Sequence, residues 1–178
     1  MDGKSVLWLA SAQDYKRAFD NDAGPNTGGM GAVSPSPHET DVLRDQIMST
    51  IITPVAKGMA AEGCPYNGVL YAGLMLTEDG PKVIEFNCRF GDPEAQVVLP
   101  RLKSDFLSAA LTVVEGGLEN FDLRWTDQTA VAVVMAADGY PGSYQKSQSI
   151  HGADQLKTAE GGLIFHAGTA SDDDGQLI

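Results

Sequence analysis

Two apolar segments joined by a short turn constrain the fold of this chain more than any other feature. Residues 69–76 and 82–87 are rich in side chains that favour strands, and the residues between them, 77–80, have the chemistry of a tight turn. The pattern predicts a β-hairpin. It also predicts antiparallel pairing, because parallel strands need a much longer connection.

Three segments have the spacing of helices. The longest, 39–62, repeats an apolar residue every four positions, with Thr40 as the expected N-cap and Gly63 as the expected stop. Pro54 predicts that this helix is kinked or split, because proline cannot continue the helical hydrogen-bond ladder. The two shorter helices are predicted over residues 93–102 and 105–115.

Strands, a loop and a turn are expected in the rest of the chain. Compact apolar runs predict strands at 5–12 and 129–137, and another within 161–168. Residues 20–37 contain so many glycines and prolines that we expect a long loop, with no helix and no central strand. The acidic run 172–174 is expected to be a solvated turn.

The polar stretch at residues 122–128 indicates a domain boundary near residue 124. The predicted domains are therefore 1–123 and 124–178. Apolar residues resume at the very end of the sequence, so we expect the second domain to be truncated.

Charge and composition exclude several classes of protein. Twelve Lys and Arg against 24 Asp and Glu give a formal net charge of -12, which is the wrong sign for a non-specific nucleic-acid binder. No apolar run approaches the roughly 20 residues that span a bilayer, so no membrane segment is expected. Cys64 and Cys88 lack metal-binding spacing and are interpreted as reduced thiols of a cytoplasmic protein.

The end of the second hairpin strand carries the residues most typical of a chemical site. Side chains alternate along a strand, so Glu85, Asn87 and Arg89 are expected on one face, while Cys88 packs on the opposite, apolar face. A carboxylate and a carboxamide oxygen two residues apart suit Mg²⁺, and Arg89 would supply a forked cation for phosphate oxygens. The alternative is a surface strand with alternating polar residues.

The context of this motif resembles a known superfamily. A hairpin ending in E-x-N-x-R is similar to the metal-binding strand of ATP-grasp enzymes, ligases that activate a carboxylate as an acyl phosphate. Its continuation, 89–94 with Gln96, resembles the signature of the phosphoribosylamine–glycine ligase family, and so do 13–17 and 24–32. The resemblance covers the C-terminal half of the ATP-grasp domain and the start of a small C-terminal domain. It implies an α+β fold, with an antiparallel sheet and helices on one face.

The resemblance also implies a reaction, in which ATP, glycine and 5-phosphoribosylamine give glycinamide ribonucleotide in purine biosynthesis. Mg²⁺ or Mn²⁺ is then expected on Glu85 and Asn87, and Arg89 is expected to stabilise a glycyl phosphate. Asp92 could pair with the ammonium group of glycine or simply begin a helix. The expected substrate-binding residues are Gln13, Asp14, Lys16, Arg17, Asn26, Thr27, Gly28, Gly29 and Gly31.

Members of this family begin with further domains, including a lobe that holds adenine and phosphates. We therefore expect the chain alone to be inactive and to bind ATP weakly, with the missing N-terminal lobe of the same enzyme as its partner. Two other functions stay open. One is another ATP-grasp carboxylate–amine ligase, and the other is a non-catalytic lobe of a larger multi-enzyme chain.

Overall fold

Antiparallel pairing runs through the structure, a computed structural model that describes residues 1–157 and 161–178. Every strand pair among the described residues is antiparallel, and helices separate the sheets along the chain, which confirms the α+β class. The described residues form two compact units. The first unit contains residues 1–16 and 28–134, and the second contains 17–27 and 135–178.

The first unit contains a three-stranded sheet. Its strands are β1 (Gln13–Asp14), β4 (Gly31–Ser34) and β7 (Ala130–Val133), with β4 in the middle. The expectation that 20–37 holds no central strand was therefore wrong. The glycines and prolines cluster on either side of β4, and Gly31 suits its position because a Cβ there would lie 2.6 Å from the carbonyl oxygen of Ala132.

A short helix packs on this sheet and forms the core of the unit. The helix α3 (Ala95–Val98) buries Val97 and Val98 against Ala32 of β4. The small alanine side chains of the sheet let the helix approach closely. Because α3 begins directly after residues 88–94, the core fixes where that segment lies. The predicted helix over 93–102 is confirmed as α3 followed by a 3₁₀ turn, Leu99–Arg101.

Arg101 is buried at the end of that turn and ties several segments together. Its guanidinium donates to Oγ of Ser34 at 2.8 Å and to the carbonyl oxygens of Gln128 and Thr126 at 2.8 and 3.2 Å. Ser34 is fully buried and donates in turn to the carbonyl oxygen of Ser11 at 2.6 Å. These bonds hold β4 against the chain that leads into β7.

The long helix is confirmed, with its interruption just before the proline. It consists of α1 (Asp41–Ile47), a π-helical segment (Met48–Ile52) and α2 (Thr53–Ala61). Pro54 has no backbone N–H for the helical ladder, which accounts for the irregular segment that precedes it. Oγ1 of Thr40 accepts from the backbone N–H of Leu43 at 3.1 Å, and Gly63 adopts a φ of +79° after the last turn, as expected for a cap and a stop.

The predicted hairpin and the next helix are also confirmed. The strands β5 (Tyr71–Thr77) and β6 (Gly80–Asn87) pair antiparallel. The helix α4 (Phe106–Glu115) is capped by Asp105, whose side chain accepts from the backbone N–H of Ser108 at 2.8 Å. None of the helices in the described parts of the chain is both long and apolar enough to cross a membrane.

The second unit contains little regular structure. Its elements are β2 (Arg17–Phe19), which pairs with β3 (Ala23–Asn26), and α5 (Ala153–Lys157). The presence of β3 further corrects the loop expected over 20–37. The exposed turn at 172–174 is confirmed.

Two of the predicted strands are wrong. Residues 5–12 and 161–168 have no strand assignment and no β-bridge within the described ranges. A strand needs a hydrogen-bonded neighbour, and an apolar run alone does not provide one. The strand expected at 129–137 is confirmed in its first half as β7. Because β7 pairs with β4, the compact units divide the chain after residue 134, and the domain boundary near 124 stays a prediction.

Candidate functional site

The β5–β6 hairpin presents Glu85 and Asn87 on one face. Tyr71 lies opposite Asn87 and Gly73 lies opposite Glu85, and residues two apart on a strand share a face. The register shift of this hairpin falls between Gly73 and Leu74, beyond both pairs, so it does not disturb their alternation. The carboxylate and the carboxamide are therefore neighbours on the same surface.

Gly73 leaves room for the side chain of Glu85 to lie across β5. A Cβ at Gly73 would be 3.2 Å from Cγ of Glu85 and 3.4 Å from Cε1 of Tyr71. The glutamate methylene and the tyrosine ring therefore flank the same point above bare backbone. Glu85 is exposed and Asn87 is half-buried, so their oxygens remain accessible to a ligand from solvent.

Glu94 is a buried carboxylate beside this face. It is only 8% exposed, and its Oε1 accepts a hydrogen bond from the hydroxyl of Tyr71 at 2.8 Å. A Cβ at Gly91 would overlap the same carboxylate, so the side chain folds back over Gly91. Sequence reasoning did not place Tyr71 or Glu94 among the site residues. A signal for Glu94 existed in the R-F-G-D-P-E continuation, but its position also suits the first turn of a helix.

Lys16 lies among the carboxylates of this region. Its Nζ is 2.5 Å from Oδ2 of Asp14, and this hydrogen bond raises the pKa of Lys16, with the charges of Glu94 and Glu85 adding to the effect and partial burial opposing it. Burial raises the pKa of Tyr71, and the hydrogen bond to Glu94 and the nearby carboxylates raise it further. Both groups therefore keep their protons at neutral pH. Three carboxylates, those of Asp14, Glu94 and Glu85, act on the single ammonium group of Lys16. The excess negative charge favours the binding of a further cation in this region.

Residues 28–31, called the glycine-rich loop below, lie between the end of β1 and the segment after β6, 88–94. Gly29 is buried with a φ of +134°, and a Cβ there would overlap Cδ of Pro93. On its other side the backbone N–H of Tyr15 donates to the carbonyl oxygen of Gly31 at 3.0 Å, and that of Met30 donates to Tyr15 at 2.7 Å. These contacts bring the loop, β1 and the segment after β6 together.

Two buried amide oxygens in this unit have no hydrogen-bond partner in the structure. They are Oε1 of Gln13 in β1 and Oε1 of Gln96 in α3. Gln96 is oriented by its other amide atom, Nε2, which donates to Oδ1 of Asp92 at 2.7 Å. An unpaired buried polar atom costs about 1–3 kcal/mol, so these two oxygens lower the stability of the unit.

The other predicted site residues have separate surroundings. Arg89 follows the end of β6 in a bend, where it is exposed and donates to the carbonyl oxygen of the next residue at 2.8 Å. Gly28 is exposed in the first unit. Arg17, Asn26 and Thr27 belong to the second unit, in which Arg17 lies opposite Asn26 across the β2–β3 pair.

Cys88 is exposed, so the expectation that its thiol packs in an apolar core was wrong. Its neighbours on the predicted apolar face, Ile84 and Phe86, are 62% and 38% exposed. Alternation predicts which face a residue occupies, but it does not predict whether another element covers that face.

The oxygen donors of Glu85 and Asn87 suit a hard divalent cation. Mg²⁺ is typically bound through one or two protein carboxylates, with water and phosphate oxygens completing its shell. Within the described residues, no cluster of three or more His, Cys, Asp or Glu side chains could hold a metal. A cation on this face would therefore need ligands from water or substrate, and the exposure of Glu85 provides access for them.

Comparison with known proteins gives two matches to family models. Residues 1–95 match phosphoribosylglycinamide synthetase, ATP-grasp (A) domain, and residues 130–178 match phosphoribosylglycinamide synthetase, C domain.

Individual relatives cover the whole of this sequence. A phosphoribosylamine–glycine ligase from Escherichia coli (strain K12) is 51% identical over 179 residues, and one from Caldanaerobacter subterraneus is 48% identical over 178 residues. Each comparison covers 100% of this chain and 42% of the relative. The crystal structure of a phosphoribosylamine–glycine ligase from Thermotoga maritima matches with a TM-score of 0.81 at 37% identity, covering 98% of this chain and 42% of that chain. The chain thus spans about 42% of the length of these relatives.

Proposed function

Because the chain belongs to the phosphoribosylglycinamide synthetase family, we propose that it forms the metal-binding and glycine-binding part of an ATP-dependent ligase. The ligase joins glycine to 5-phosphoribosylamine and releases ADP and phosphate, giving glycinamide ribonucleotide for purine biosynthesis. The observation that carries this proposal is the common face of Glu85 and Asn87 beside the half-buried Tyr71, which bonds to the buried Glu94. The exposed thiols of Cys64 and Cys88 fit a reducing compartment, and we place the reaction in the cytoplasm.

Glu85 and Asn87 are the residues that would hold Mg²⁺ or Mn²⁺. The bound cation would neutralise phosphate oxygens of ATP, so that the carboxylate of glycine can approach the γ-phosphate. A carboxylate oxygen then bonds to the γ-phosphorus as the bond to ADP breaks, which gives a glycyl phosphate. Arg89 lies exposed just after the strand, and its fork of donors would pair with the oxygens of that intermediate.

Asp92, held by Gln96, would orient glycine. Nε2 of Gln96 donates to Oδ1 of Asp92, and the exposed carboxylate would accept from the ammonium group of glycine. Gln13 in β1 is a further candidate substrate contact. The amine of 5-phosphoribosylamine then attacks the glycyl carbonyl carbon, phosphate leaves with the bonding electrons, and the new amide nitrogen loses a proton. No step requires a covalent bond to the protein, so positioning and electrostatics supply the rate enhancement.

Lys16 and the glycine-rich loop would bind anionic groups of the substrates. The loop has few side-chain atoms, so backbone N–H groups can approach a phosphate or carboxylate closely. Lys16 carries its charge at neutral pH. Within the second unit, Arg17, Asn26 and Thr27 are separate candidates for contacts to substrate.

A chimera tests this function. In it, the chain replaces the matched region of the Escherichia coli ligase, and ADP release is measured with and without each substrate. We expect ADP release that requires glycine and 5-phosphoribosylamine, because each would occupy its own part of the site. The 178-residue chain alone should show no turnover, and Mg²⁺ with ATP should shift its melting temperature little, because it would supply only part of the nucleotide site.

Other outcomes of this assay separate the alternatives. Equal ADP release with another amino acid in place of glycine would indicate a different carboxylate–amine ligase. A folded chimera that releases no ADP under any of these conditions would contradict the proposed function.

A further inference from the structure

Tyr71 contacts the proposed metal-binding face at one end and a buried carboxylate at the other. It lies directly opposite Asn87 in the hairpin, and a Cβ at Gly73 would contact both its ring, at 3.4 Å, and Cγ of Glu85, at 3.2 Å. Its hydroxyl donates to Oε1 of Glu94 at 2.8 Å. The Tyr71 side chain therefore lies beside both proposed metal ligands, and its hydroxyl is held by Glu94, which immediately precedes α3.

We propose that Tyr71 is a positioning residue for Glu85 and Asn87, a role that rests on the function proposed above. The hydroxyl fixes the ring by its bond to Glu94, and the fixed ring limits where the Glu85 carboxylate can lie. Residues that orient metal ligands without touching the metal contribute to metal affinity, and replacing one typically costs about 10- to 100-fold.

Glu94 is a suitable anchor because it is itself held in place. Its carboxylate lies over Gly91, where no Cβ obstructs it. Glu94 immediately precedes α3, and α3 is fixed by the burial of Val97 and Val98 in the core. The core therefore fixes Glu94, and Glu94 fixes Tyr71. Tyr71 in turn limits the positions of the oxygen donors of Glu85 and Asn87.

The chemistry of this pair favours a role beyond packing. Burying a carboxylate costs free energy, and well-packed apolar side chains would fill the same space without that cost. A charged acceptor makes a stronger hydrogen bond than a neutral one, which suits a contact that must hold a ring in one orientation.

The test is Tyr71→Phe in the chimera, which keeps the ring and removes the hydroxyl. Mn²⁺ is the probe, and its binding is measured by electron paramagnetic resonance. We expect the affinity for Mn²⁺ to fall about 10-fold or more, and the Mg²⁺ concentration for half-maximal turnover to rise in parallel, while kcat at saturating Mg²⁺ falls much less. Tyr144→Phe is the control, because Tyr144 is an exposed tyrosine of the second unit, whereas the proposed metal-binding face belongs to the first.

A second variant separates the hydrogen bond from the charge of the acceptor. Glu94→Gln keeps an oxygen that can accept from Tyr71, so it should lose less Mn²⁺ affinity than Tyr71→Phe. A larger loss in Glu94→Gln would overturn the positioning role, because the charge would then act independently of the hydroxyl. Unchanged Mn²⁺ affinity in Tyr71→Phe, or an equal loss in Tyr144→Phe, would overturn it as well.

Glu85→Gln distinguishes failure of this inference from failure of the proposed function. If Glu85→Gln abolishes Mn²⁺ binding and Tyr71→Phe leaves it unchanged, only the positioning role is wrong. If the parent chimera binds no Mn²⁺, or if Glu85→Gln leaves binding intact, the metal site of the proposed function is wrong.

Discussion

Glu85→Gln should lower turnover of the chimera by about 10³-fold without unfolding it, which corresponds to about 4 kcal/mol of transition-state stabilisation. The change replaces one oxygen by nitrogen and removes a negative charge at the exposed end of β6. The cation that offsets repulsion between glycine and ATP would lose its charged protein ligand. Asn87→Ala should act in the same direction, because it removes the neighbouring donor on the same face.

The hairpin offers a matched control in Glu78→Gln. Glu78 is an exposed glutamate in the turn between β5 and β6, outside the proposed site. Steady-state ADP release should be unchanged in this variant. A Glu85→Gln chimera with activity within about threefold of the parent would mean that the carboxylate does not take part in the reaction, since one lost ligand of this kind should cost far more.

Gly29→Ala should lower the free energy of unfolding by about 3 kcal/mol or more. A φ of +134° is strained for any residue with a Cβ, and the added methyl would overlap Cδ of the buried Pro93. Relief of that overlap must move either the loop or the segment that leads to Glu94. Thermal unfolding followed by circular dichroism should show the melting temperature falling by about 6–12 °C.

Gly58→Ala is the control for this substitution. Gly58 lies inside α2, and a Cβ there would meet no atom within 4 Å. Alanine favours helix, so the variant should be as stable as the parent or more stable by about 0.5–1 kcal/mol. Equal stability of Gly29→Ala and the parent would show that the loop does not pack against Pro93 as described.

Local chemistry explains what could be predicted from the sequence. Turn residues at 77–80 specify the hairpin, and the side chain of Thr40 specifies where α1 begins. The two-residue period of a strand is equally local, so it placed Glu85 and Asn87 on one face without knowledge of the fold. These features depend on residues a few positions apart.

Pairing between distant segments could not be predicted in this way. The residues of β4 read as part of a loop, and they form a central strand because β1 and β7 supply hydrogen bonds from both sides. Residues 5–12 have the composition of a strand but gain no such neighbour within the described ranges. Composition describes a segment alone, whereas a sheet is a property of several segments together.

The same limit applies to the candidate site. Tyr71 and Glu94 are 23 positions apart, and nothing in their local sequence indicates that they share a hydrogen bond. Gln96 lies in a recognisable motif, but only the structure shows its oxygen buried without a partner. The supporting groups of a site are harder to find from sequence than the ligands, because they need not have a fixed spacing from them.

The most direct test of the account is where Mn²⁺ binds on this chain. Amide signals of the ¹⁵N-labelled protein are followed by nuclear magnetic resonance while Mn²⁺ is added, since its unpaired electrons broaden signals from nearby nuclei. If Glu85 and Asn87 hold the cation, the signals of Gly73, Glu85 and Asn87 broaden first, with α2 unaffected. Broadening that begins at the exposed acidic turn 172–174, or that spreads evenly over the chain, would contradict this placement of the metal site.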